Sequence, residues 1–526
     1  MNRKEFLKTG ALAAVTLGST PALMSWIPQH NWDGYDFGSG PEVKDRLYQG
    51  PFPQFGRENF FNSQDAFQYT TSGEQVINCY GMGLQTYISA DHGAPIVQGE
   101  TLEQTIDKLA SFPLSTKLYM RPCWKTLQKR PGRLDFDDYV KITLDKAAKY
   151  NKRIGFRMNW DVPQQYPRDP NVAPDYTLFL PDHLLEKVPM TAMEGEYLGR
   201  SDWKLLDCHN SYFMEYFEEF MALLAEQWNG SDVIEFMDTV MFGWWGEGHA
   251  WLLRKGNYSH NYPSHTVAEE TWLKIWEIQR KYWTKVPLVT NTQPDCNQVG
   301  NAEIVDRTIR SFNWLRRDSI MVQNESIEMM ANRPPWIAAK LEGWISYNAN
   351  RDENGLPPNW NLFNKAKDLG VNYTTVSIHG LNNTLENINH YHNRFPEVLT
   401  GLAQKIGYRV RPSWIWRYRA DTGRDGFIFG MVNDGVASVP GVLRLTLFND
   451  QNPCLVTGCL DPGYPLTRGV RQVAMVLPEG VTWDSDIKLK AEIEVKGVTY
   501  PVPFACAQAL NSDGSYTIKE NKNRYR

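Results

Sequence analysis

The stretch from Val233 to His249 reads Val-Ile-Glu-Phe-Met-Asp-Thr-Val-Met-Phe-Gly-Trp-Trp-Gly-Glu-Gly-His. Its first half is apolar and partly β-branched, which predicts a buried strand. Glu235 and Asp238 lie inside this strand, and they require buried partners if they face the interior of a barrel. Glycines, tryptophans, Glu247 and His249 follow, and glycines let the backbone turn sharply at a strand end.

Indole rings such as that of Trp245 offer flat apolar faces on which a sugar ring can stack. A carboxylate among indoles loses hydration, so we expect the pKa of Glu247 to be raised toward values useful for a general acid. This combination is typical of a site that cleaves sugars. A buried aromatic turn with a structural glutamate is the alternative interpretation.

The composition points to a globular chain with a carbohydrate partner. Of 526 residues, 42% are hydrophobic and 22% charged, which suits a large barrel and one further domain. The formal net charge of -5 argues against nucleic acid as a partner, because phosphate binding requires a basic surface. The 19 Trp and 25 Tyr exceed what a core normally uses, and carbohydrate sites commonly hold such a surplus.

No cofactor and no metal are predicted, because the sequence contains no glycine-rich phosphate loop, Ser-His-Asp order or zinc-ligand spacing. Of the seven cysteines, only Cys454 and Cys459 are close enough in sequence for a local disulfide. Free buried thiols are the general expectation for the set, which comprises Cys79, Cys123, Cys208, Cys296, Cys454, Cys459 and Cys506.

Residues 1–25 are typical of an export signal. A short basic region from Arg3 to Lys8 precedes a small, apolar run from Gly10 to Ala22. The pattern resembles a twin-arginine signal in which Lys4 replaces the second arginine, and an amphipathic helix is the alternative. No later segment reaches about 18 apolar residues, so we expect no integral membrane segment beyond the signal and a periplasmic or secreted protein.

After a lead segment over residues 26–74, strand and helix patterns alternate through residues 75–407. Eight such units predict a (β/α)8 TIM barrel, with a long polar excursion between the third and fourth strands. The predicted strands are Gln75–Tyr87, Lys117–Met120, Arg153–Met158, Val233–Phe242, Val286–Thr290, Ser319–Val322, Trp336–Leu341 and Tyr373–Ile378. Short alternating strands after Tyr408 then predict a small all-β sandwich over residues 408–526.

Polar and aromatic residues cluster just after the predicted barrel strands, where such barrels carry their active sites. We expect substrate-binding roles for Asp91, His92, Arg121, Trp124, Asn159, Trp160, Trp245, His249, Asn291, Gln293, Trp344 and His379. Alternatives remain open: Asp91 and His92 could cap a helix, two or three of the tryptophans could belong to the core, and Arg121 could pair with an aspartate. For His249 and His379, hydrogen bonding is favoured over metal binding.

Glu247 and Glu342 follow the fourth and seventh predicted strands, whose ends share the mouth of a closed barrel. This arrangement resembles the retaining glycoside hydrolases of clan A, the "four/seven" superfamily that includes β-galactosidases and β-agarases. The resemblance implies that Glu247 is the acid/base and Glu342 the nucleophile in the cleavage of a β-linked oligo- or polysaccharide.

One position departs from the clan, which usually has Asn directly before its acid/base where this chain has Gly246. Asn159, Asn291 and Gln293 are candidate substitutes for the missing amide. The departure also leaves open a glycan-binding barrel that keeps the aromatic cleft without turnover. Carboxylates at both strand ends favour the enzyme.

Overall fold

A computed structural model describes residues 66–70, 72–89, 97–160, 171–192, 201–241, 243–248, 264–292, 301–317, 339–345, 350–360, 371–378, 384–460 and 471–518. Strand β1 (Ala66–Tyr69) comes first in the chain and belongs to a C-terminal sandwich. Among the described residues, no helix combines the length and the apolar character needed to cross a bilayer.

Eight parallel strands close into a barrel, which confirms the predicted (β/α)8 fold. Strand side chains alternate: Leu118 and Met120 pack outward against helices, whereas Tyr119 packs in the interior. In order around the barrel, the strands are β2 (Gly83–Ile88), β3 (Lys117–Met120), β4 (Arg153–Arg157), β7 (Ile234–Asp238), β8 (Leu288–Asn291), β9 (Trp314–Arg317), β10 (Ala339–Ile345) and β11 (Tyr373–Ile378). Strands β5 (Met190–Ala192) and β6 (Lys204–Leu206) form an antiparallel pair within the predicted excursion between β4 and β7.

Helices surround the barrel and bury one apolar face each against it. In α5 (Ser211–Trp228), Phe213, Phe217, Phe220 and Leu224 are buried at the predicted spacing, and the Asn210 side chain caps the helix. The predicted capping box of Thr101 and Gln104 is present at the start of α1 (Leu102–Ala110). The other described helices are α2 (Trp124–Leu127), α3 (Asp138–Lys149), α4 (Asp182–Lys187), α6 (His265–Tyr282), α7 (Asn301–Arg310), α8 (Leu385–Arg394) and α9 (Pro396–Lys405).

The sixth barrel strand differs from its prediction. It is Trp314–Arg317, whereas the predicted segment, residues 319–322, lies outside the described residues. Phe312 has a φ of 56°, which ends α7 and leads directly into the strand. Arg316 and Arg317, at the end of this strand, are buried at 1% and 4% exposure. Because of these charged residues, the segment has no apolar pattern from which a core strand could be predicted.

Besides the sixth, five barrel strands differ from their predicted bounds, among them the first and the seventh. The first barrel strand starts at Gly83 and not at Gln75. Residues before it contact the amino ends of other strands: Lys117 Nζ donates to Asn78 at 3.1 Å, and the Gly81 N–H donates to Glu235 at 3.0 Å. Strand β10 continues through Glu342 to Ile345, so Glu342 lies within this strand and pairs in register with Thr375 of β11.

The C-terminal region forms the predicted sandwich of two antiparallel sheets. Their facing side chains, among them Phe429, Leu445 and Ile493, share one core. One sheet has the order β1, β12 (Val410–Arg419), β13 (Asp425–Asn433) and β16 (Arg471–Val476). The other has the order β15 (Val456–Leu460), β14 (Val442–Phe448), β17 (Lys488–Val495) and β18 (Val498–Val502), with β19 (Tyr516–Thr517) paired to β17.

The sandwich packs against the amino ends of the barrel strands, which we call the lower end. Tyr500 stacks on Tyr80 with ring centroids 3.6 Å apart, and the Tyr408 hydroxyl donates to the Tyr80 carbonyl. The Lys496 Nζ donates to the Trp283 carbonyl at 3.1 Å, just before β8. The sandwich therefore lies opposite the carboxyl ends of the strands, the upper end.

The lower end contains a lower cluster formed by Glu235, Lys117, Tyr373 and Gly81. The fully buried Glu235 carboxylate accepts from Lys117 Nζ at 2.7 Å, from the Tyr373 hydroxyl at 2.6 Å and from the Gly81 N–H at 3.0 Å. This confirms that Glu235 requires buried partners. Burial lowers the pKa of Lys117, although Glu235 opposes the shift.

Candidate active site

Glu247 lies on a tight turn at the upper end, after β7. Gly243, Gly246 and Gly248 have φ values of 84°, 67° and 86°, which glycine adopts without a steric penalty. Trp245 adopts a φ of 58° within the same turn, which is strained for a residue with a side chain. The Met241 N–H donates to the Gly246 carbonyl at 3.1 Å and closes the turn. The glycines of the motif therefore allow the backbone to reverse direction next to Glu247.

The ends of three other strands hold Glu247. Its Oε1 accepts a close hydrogen bond from Arg157 Nη2, at the end of β4, and lies 3.4 Å from Nη2 of Arg121, which directly follows β3. Asn291, the last residue of β8, donates from Nδ2 to the Glu247 carbonyl at 2.7 Å. Glu247 is 7% exposed, so both its backbone and its carboxylate are fixed at the mouth of the barrel.

These surroundings differ from the expected ones. The sequence predicts indole faces around Glu247, which would favour the protonated acid. The structure instead places two guanidinium groups on its carboxylate, and opposite charges favour the ionised form. Trp245 is only partly buried and packs against the barrel core. No local pattern indicates these contacts, because Arg121 and Arg157 are distant from Glu247 along the chain.

A second carboxylate, Asp238, lies at the end of β7. Its Oδ2 accepts from the Tyr119 hydroxyl at 2.5 Å and lies 3.2 Å from Arg316 Nε, and all three residues are buried. Burial lowers the pKa of Arg316, and the nearby Arg157 adds to the shift. We call the group Glu247, Asp238, Arg121, Arg157 and Arg316 the upper cluster. Asp238 thus has the buried partners that the sequence requires, but Arg316 was missed because its strand was predicted elsewhere.

Arg121 is oriented by aromatic rings. Its guanidinium carbon lies 5.3 Å from the ring centroid of Tyr87 and 5.8 Å from that of Tyr119. The backbone N–H of Arg121 also donates to the Tyr139 hydroxyl at 3.2 Å. Within the described residues Arg121 contacts Glu247, and the alternative that it pairs with an aspartate stays open because the candidate, Asp161, lies outside them.

Two of the predicted sugar-stacking tryptophans belong to the core. Trp124 is fully buried, stacks on Phe220 at 4.8 Å and donates from Nε1 to Gln128. Trp160 is 8% exposed and packs edge-on against Phe213 at 5.5 Å. The phenylalanines of α5 pack against both indoles, which leaves little of either ring exposed.

Asn159 lies beside the turn, as its proposed role requires. It is fully buried, and a Cβ at Gly246 would come within 3.4 Å of its Oδ1. Its backbone bridges strands, because its carbonyl accepts from the Trp124 N–H at 2.9 Å. An amide is therefore present next to the position where the clan carries one.

The remaining predicted site residues are placed only in part. Glu342 and Trp344 lie in β10, in register with Thr375 and Ser377, and their side chains lie outside the described part of the chain. Five further residues lie outside it altogether: Asp91, His92, His249, Gln293 and His379.

Within the described residues, no group of His, Cys, Asp and Glu could hold a metal ion. The cysteines of this part of the chain are free thiols, and they include Cys454 and Cys459, so the candidate disulfide is not formed. Burial raises the pKa of Cys79 to about 12 and that of Cys123 to about 11, so neither is a reactive thiolate at neutral pH.

No protein-family model matches this chain, and no curated protein sequence does. Among solved structures, it is similar to a β-galactosidase from the psychrophilic Marinomonas ef1, with 11% identity, 61% of this chain covered and a TM-score of 0.35. That alignment spans 59% of the β-galactosidase, less than two thirds of its length. An endo-glycoceramidase II from Rhodococcus sp. has 8% identity over 81% of this chain and 99% of its own, with a TM-score of 0.35.

A family 39 glycoside hydrolase from Bacteroides cellulosilyticus WH2 has 7% identity over 77% of this chain and 82% of its own, with a TM-score of 0.38. The solved structures to which this chain is similar thus include glycoside hydrolases, the class that its sequence resembles.

Proposed function

We propose that this protein is an exported glycoside hydrolase that cleaves a β-linked oligo- or polysaccharide by a retaining mechanism with two carboxylates. The observation that carries the proposal is the placement of Glu247. Three strand ends and a strained turn fix a single carboxylate at the mouth of a (β/α)8 barrel. In such barrels, active sites are built from side chains that are held rigidly at the carboxyl ends of the strands.

In this mechanism, Glu247 protonates the glycosidic oxygen while Glu342 attacks the anomeric carbon and forms a glycosyl ester. Glu247 then removes a proton from water, which hydrolyses the ester with net retention of configuration. The mechanism requires the two carboxyl groups to lie about 5–5.5 Å apart. Asn159, beside Gly246, would contact a sugar hydroxyl in place of the missing amide.

The sandwich contributes stability and no catalytic residue in this proposal. Its contacts with the barrel lie at the lower end, through Tyr500, Tyr408 and Lys496. The division of labour places the chemistry in residues 75–407 and the support in residues 408–526, to which strand β1 is added by its pairing with β12. Residues 1–25 would be removed on export, which sequencing the amino terminus of the secreted protein would test.

A glycan-binding barrel without turnover is the second candidate, and one observation favours it. The guanidinium groups of Arg121 and Arg157 stabilise the ionised form of Glu247, whereas an acid catalyst must begin the reaction protonated. A binding protein has no such requirement. The two candidates therefore differ in whether Glu247 exchanges a proton with the substrate.

Kinetics of carboxylate variants test the choice. The purified protein is first screened on a panel of polysaccharides and aryl β-glycosides. Glu247→Ala should slow cleavage of poor leaving groups by about 10²–10⁴-fold and spare activated aryl glycosides, because these need little protonation. Azide should restore its second step and give a product of retained configuration. Glu342→Ala should lose turnover, and azide should at most yield inverted product.

Glu226→Gln provides the matched control, because this glutamate is exposed on the outer helix α5. It should behave as the unmodified protein does. A bell-shaped pH–rate profile with two carboxylate limbs supports the enzyme. Tight glycan binding without cleavage of any panel member would instead establish the binding protein.

A further inference from the structure

Asp238 is a buried carboxylate of the upper cluster that the proposed mechanism does not use. It is the last residue of β7, is fully buried and pairs in register with Arg157 of β4. Its Oδ2 accepts from the Tyr119 hydroxyl at 2.5 Å and lies 3.2 Å from Nε of Arg316 in β9. Asp238 is therefore fixed next to two arginines inside the barrel.

The same two arginines also act on Glu247. Nη2 of Arg157 donates a close hydrogen bond to Oε1 of Glu247. Burial lowers the pKa of Arg316, Arg157 adds to the shift, and Asp238 and Glu247 both oppose it. Arg316 is thus within electrostatic reach of both carboxylates. Asp238 and Glu247 therefore share their counter-charges, although they lie on different parts of the β7 strand and turn.

Shared counter-charges couple the ionisation of the two carboxylates. With an uncharged residue in place of Asp238, the positive charges of Arg157 and Arg316 would act on Glu247 without a second anion and would hold it ionised more firmly. The negative charge of Asp238 offsets part of this effect and also repels the ionised form of Glu247. Because an acid catalyst must hold a proton before it can donate one, this offset bears directly on the chemistry.

We propose that Asp238 is a positioning residue that offsets the positive charge beside Glu247 and so keeps this carboxyl able to take up and release a proton. The use of that proton in catalysis rests on the proposed function, whereas the coupling of the two carboxylates does not. Tyr119 orients Asp238 without adding charge, because burial raises the pKa of Tyr119 well above its ordinary value of 10.

The barrel strands and the residues directly after them carry further charged or titratable groups, besides those at the lower end. They are Tyr87, Arg121, Arg317, Lys340, Glu342 and His379. The last three have side chains outside the described part of the chain. Variants at Asp238 and Arg316 leave all six unchanged, so their effect on Glu247 largely cancels when these variants are compared with one another. A set of such variants therefore isolates the contribution of Asp238.

Infrared spectroscopy measures the ionisation of Glu247 without a substrate. A protonated carboxyl absorbs apart from a carboxylate, so the difference between each protein and its Glu247→Gln counterpart, followed with pH, gives the pKa of Glu247. In Asp238→Asn this pKa should fall by about 1, because a neighbouring negative charge is removed. In Arg316→Gln it should rise by a similar amount. The two changes combined should return it close to the value in the unmodified protein.

The combined variant also covers the case in which Asp238→Asn does not fold, as judged by circular dichroism. The pKa of Glu247 should then be about 1 lower in the combined variant than in Arg316→Gln alone. Asp182→Asn is the matched control, because it removes one carboxylate that pairs with Lys125 at 2.9 Å, is 72% exposed and lies outside the upper cluster. It should leave the pKa of Glu247 unchanged. An unchanged pKa on removal of Asp238, or an equal fall in Asp182→Asn, would overturn the inference.

Rate measurements separate the inference from the proposed function. If a glycan is cleaved, the basic limb of the pH–rate profile should move to lower pH by about 1 in Asp238→Asn, whereas a purely structural role of Asp238 would lower the rate equally at every pH. If the pKa of Glu247 responds to Asp238 but no glycan is cleaved, the inference stands and the hydrolase proposal fails. If glycans are cleaved and neither the pKa nor the basic limb responds, the hydrolase proposal stands and the inference fails.

Discussion

The two ends of the barrel each bury a glutamate beside cations, but the partners differ in kind. At the lower end, Glu235 accepts hydrogen bonds from an ammonium group, a hydroxyl and a backbone N–H, and the Arg153 guanidinium group lies farther away at 3.9 Å. At the upper end, Glu247 is 7% exposed and is held by two guanidinium groups. The sandwich closes the lower end, through Tyr500 stacked on Tyr80.

The difference separates a structural carboxylate from a candidate functional one. The hydrogen bonds of Glu235 join three strands and the segment before β2. A buried charge is stabilised when its hydrogen-bonding atoms all have partners in this way. Glu247 follows a turn in which Trp245 has a φ of 58°, a conformation that costs about 1–3 kcal/mol. Strain of this kind persists where the surroundings fix it, and it is common at functional sites.

The largest effect should come from the lower cluster. Glu235→Gln leaves the Lys117 ammonium group buried at 1% exposure without its counter-charge. The free energy of unfolding should fall by about 3–5 kcal/mol, as measured by chemical denaturation. In the matched control, Glu235→Leu combined with Lys117→Met removes both charges and should recover part of the loss, because the Tyr373 hydroxyl and the Gly81 N–H still lose their acceptor.

A smaller loss of stability is expected at the upper end. Glu247→Gln weakens charge-assisted hydrogen bonds to Arg157 and Arg121, so the free energy of unfolding should fall by about 1.5–3 kcal/mol. Water reaches this carboxylate, whose side chain is 10% exposed, whereas Glu235 is at 0%. If Glu247→Gln destabilised the protein more than Glu235→Gln, the two ends would not differ as we infer.

The sequence was sufficient to predict the barrel, the sandwich and the glycine-rich turn that precedes Glu247. Alternation of apolar strands and amphipathic helices is a local signal, and glycines mark a turn wherever the chain needs positive φ. Strands β3 and β11 match their predicted bounds. The turn has the positive φ values that its glycines suggest.

What the sequence could not show is which side chains meet across the barrel. Arg316 belongs to a strand that hydropathy missed, because its charge is buried against Asp238 and its strand therefore looks polar. Trp124 and Trp160 follow strands like site residues, but they turn toward the phenylalanines of α5. Strand β1 joins the sandwich by pairing with β12, a long-range contact with no local signature.

Removing the ring stack at the lower end tests the role of the sandwich. Tyr500→Leu loses the stack on Tyr80 and the Arg153 contact 5.0 Å from the ring. We expect a loss of about 0.5–1.5 kcal/mol in thermal or chemical unfolding. Tyr500→Phe keeps the ring and should lose less. Glycan cleavage and binding should be unchanged in both variants, and a change in ligand preference would contradict the separation of the two ends.

The smallest effect is a pH dependence of stability at the contact between the sandwich and the lower end of the barrel. Burial, assisted by the nearby Arg280, lowers the pKa of Lys496 to about 8 from an ordinary value of 10.5. Between these values the unfolded chain binds more protons than the folded one, so the contribution of Lys496 to stability rises with pH. Because the side chain is only partly buried, we expect a gain of about 1 kcal/mol or less.

Lys496→Met isolates this contribution from other groups that titrate in the same range. From pH 8 to pH 10.5, the unmodified protein should gain free energy of unfolding relative to the variant. The gain is expected because the amine, once neutral, still donates to Trp283 and Asn313. Lys152, whose pKa burial lowers to about 8, belongs to the barrel domain: it directly precedes β4, and its Nζ donates to the Phe112 carbonyl at 2.7 Å. If barrel and sandwich unfold together, Lys152→Met should produce a slope of the same sign in the same transition. If the stability difference changed with pH for Lys152→Met but not for Lys496→Met, the contact between sandwich and barrel would open before the barrel unfolds. The sandwich would then hold the lower end less tightly than its contacts indicate.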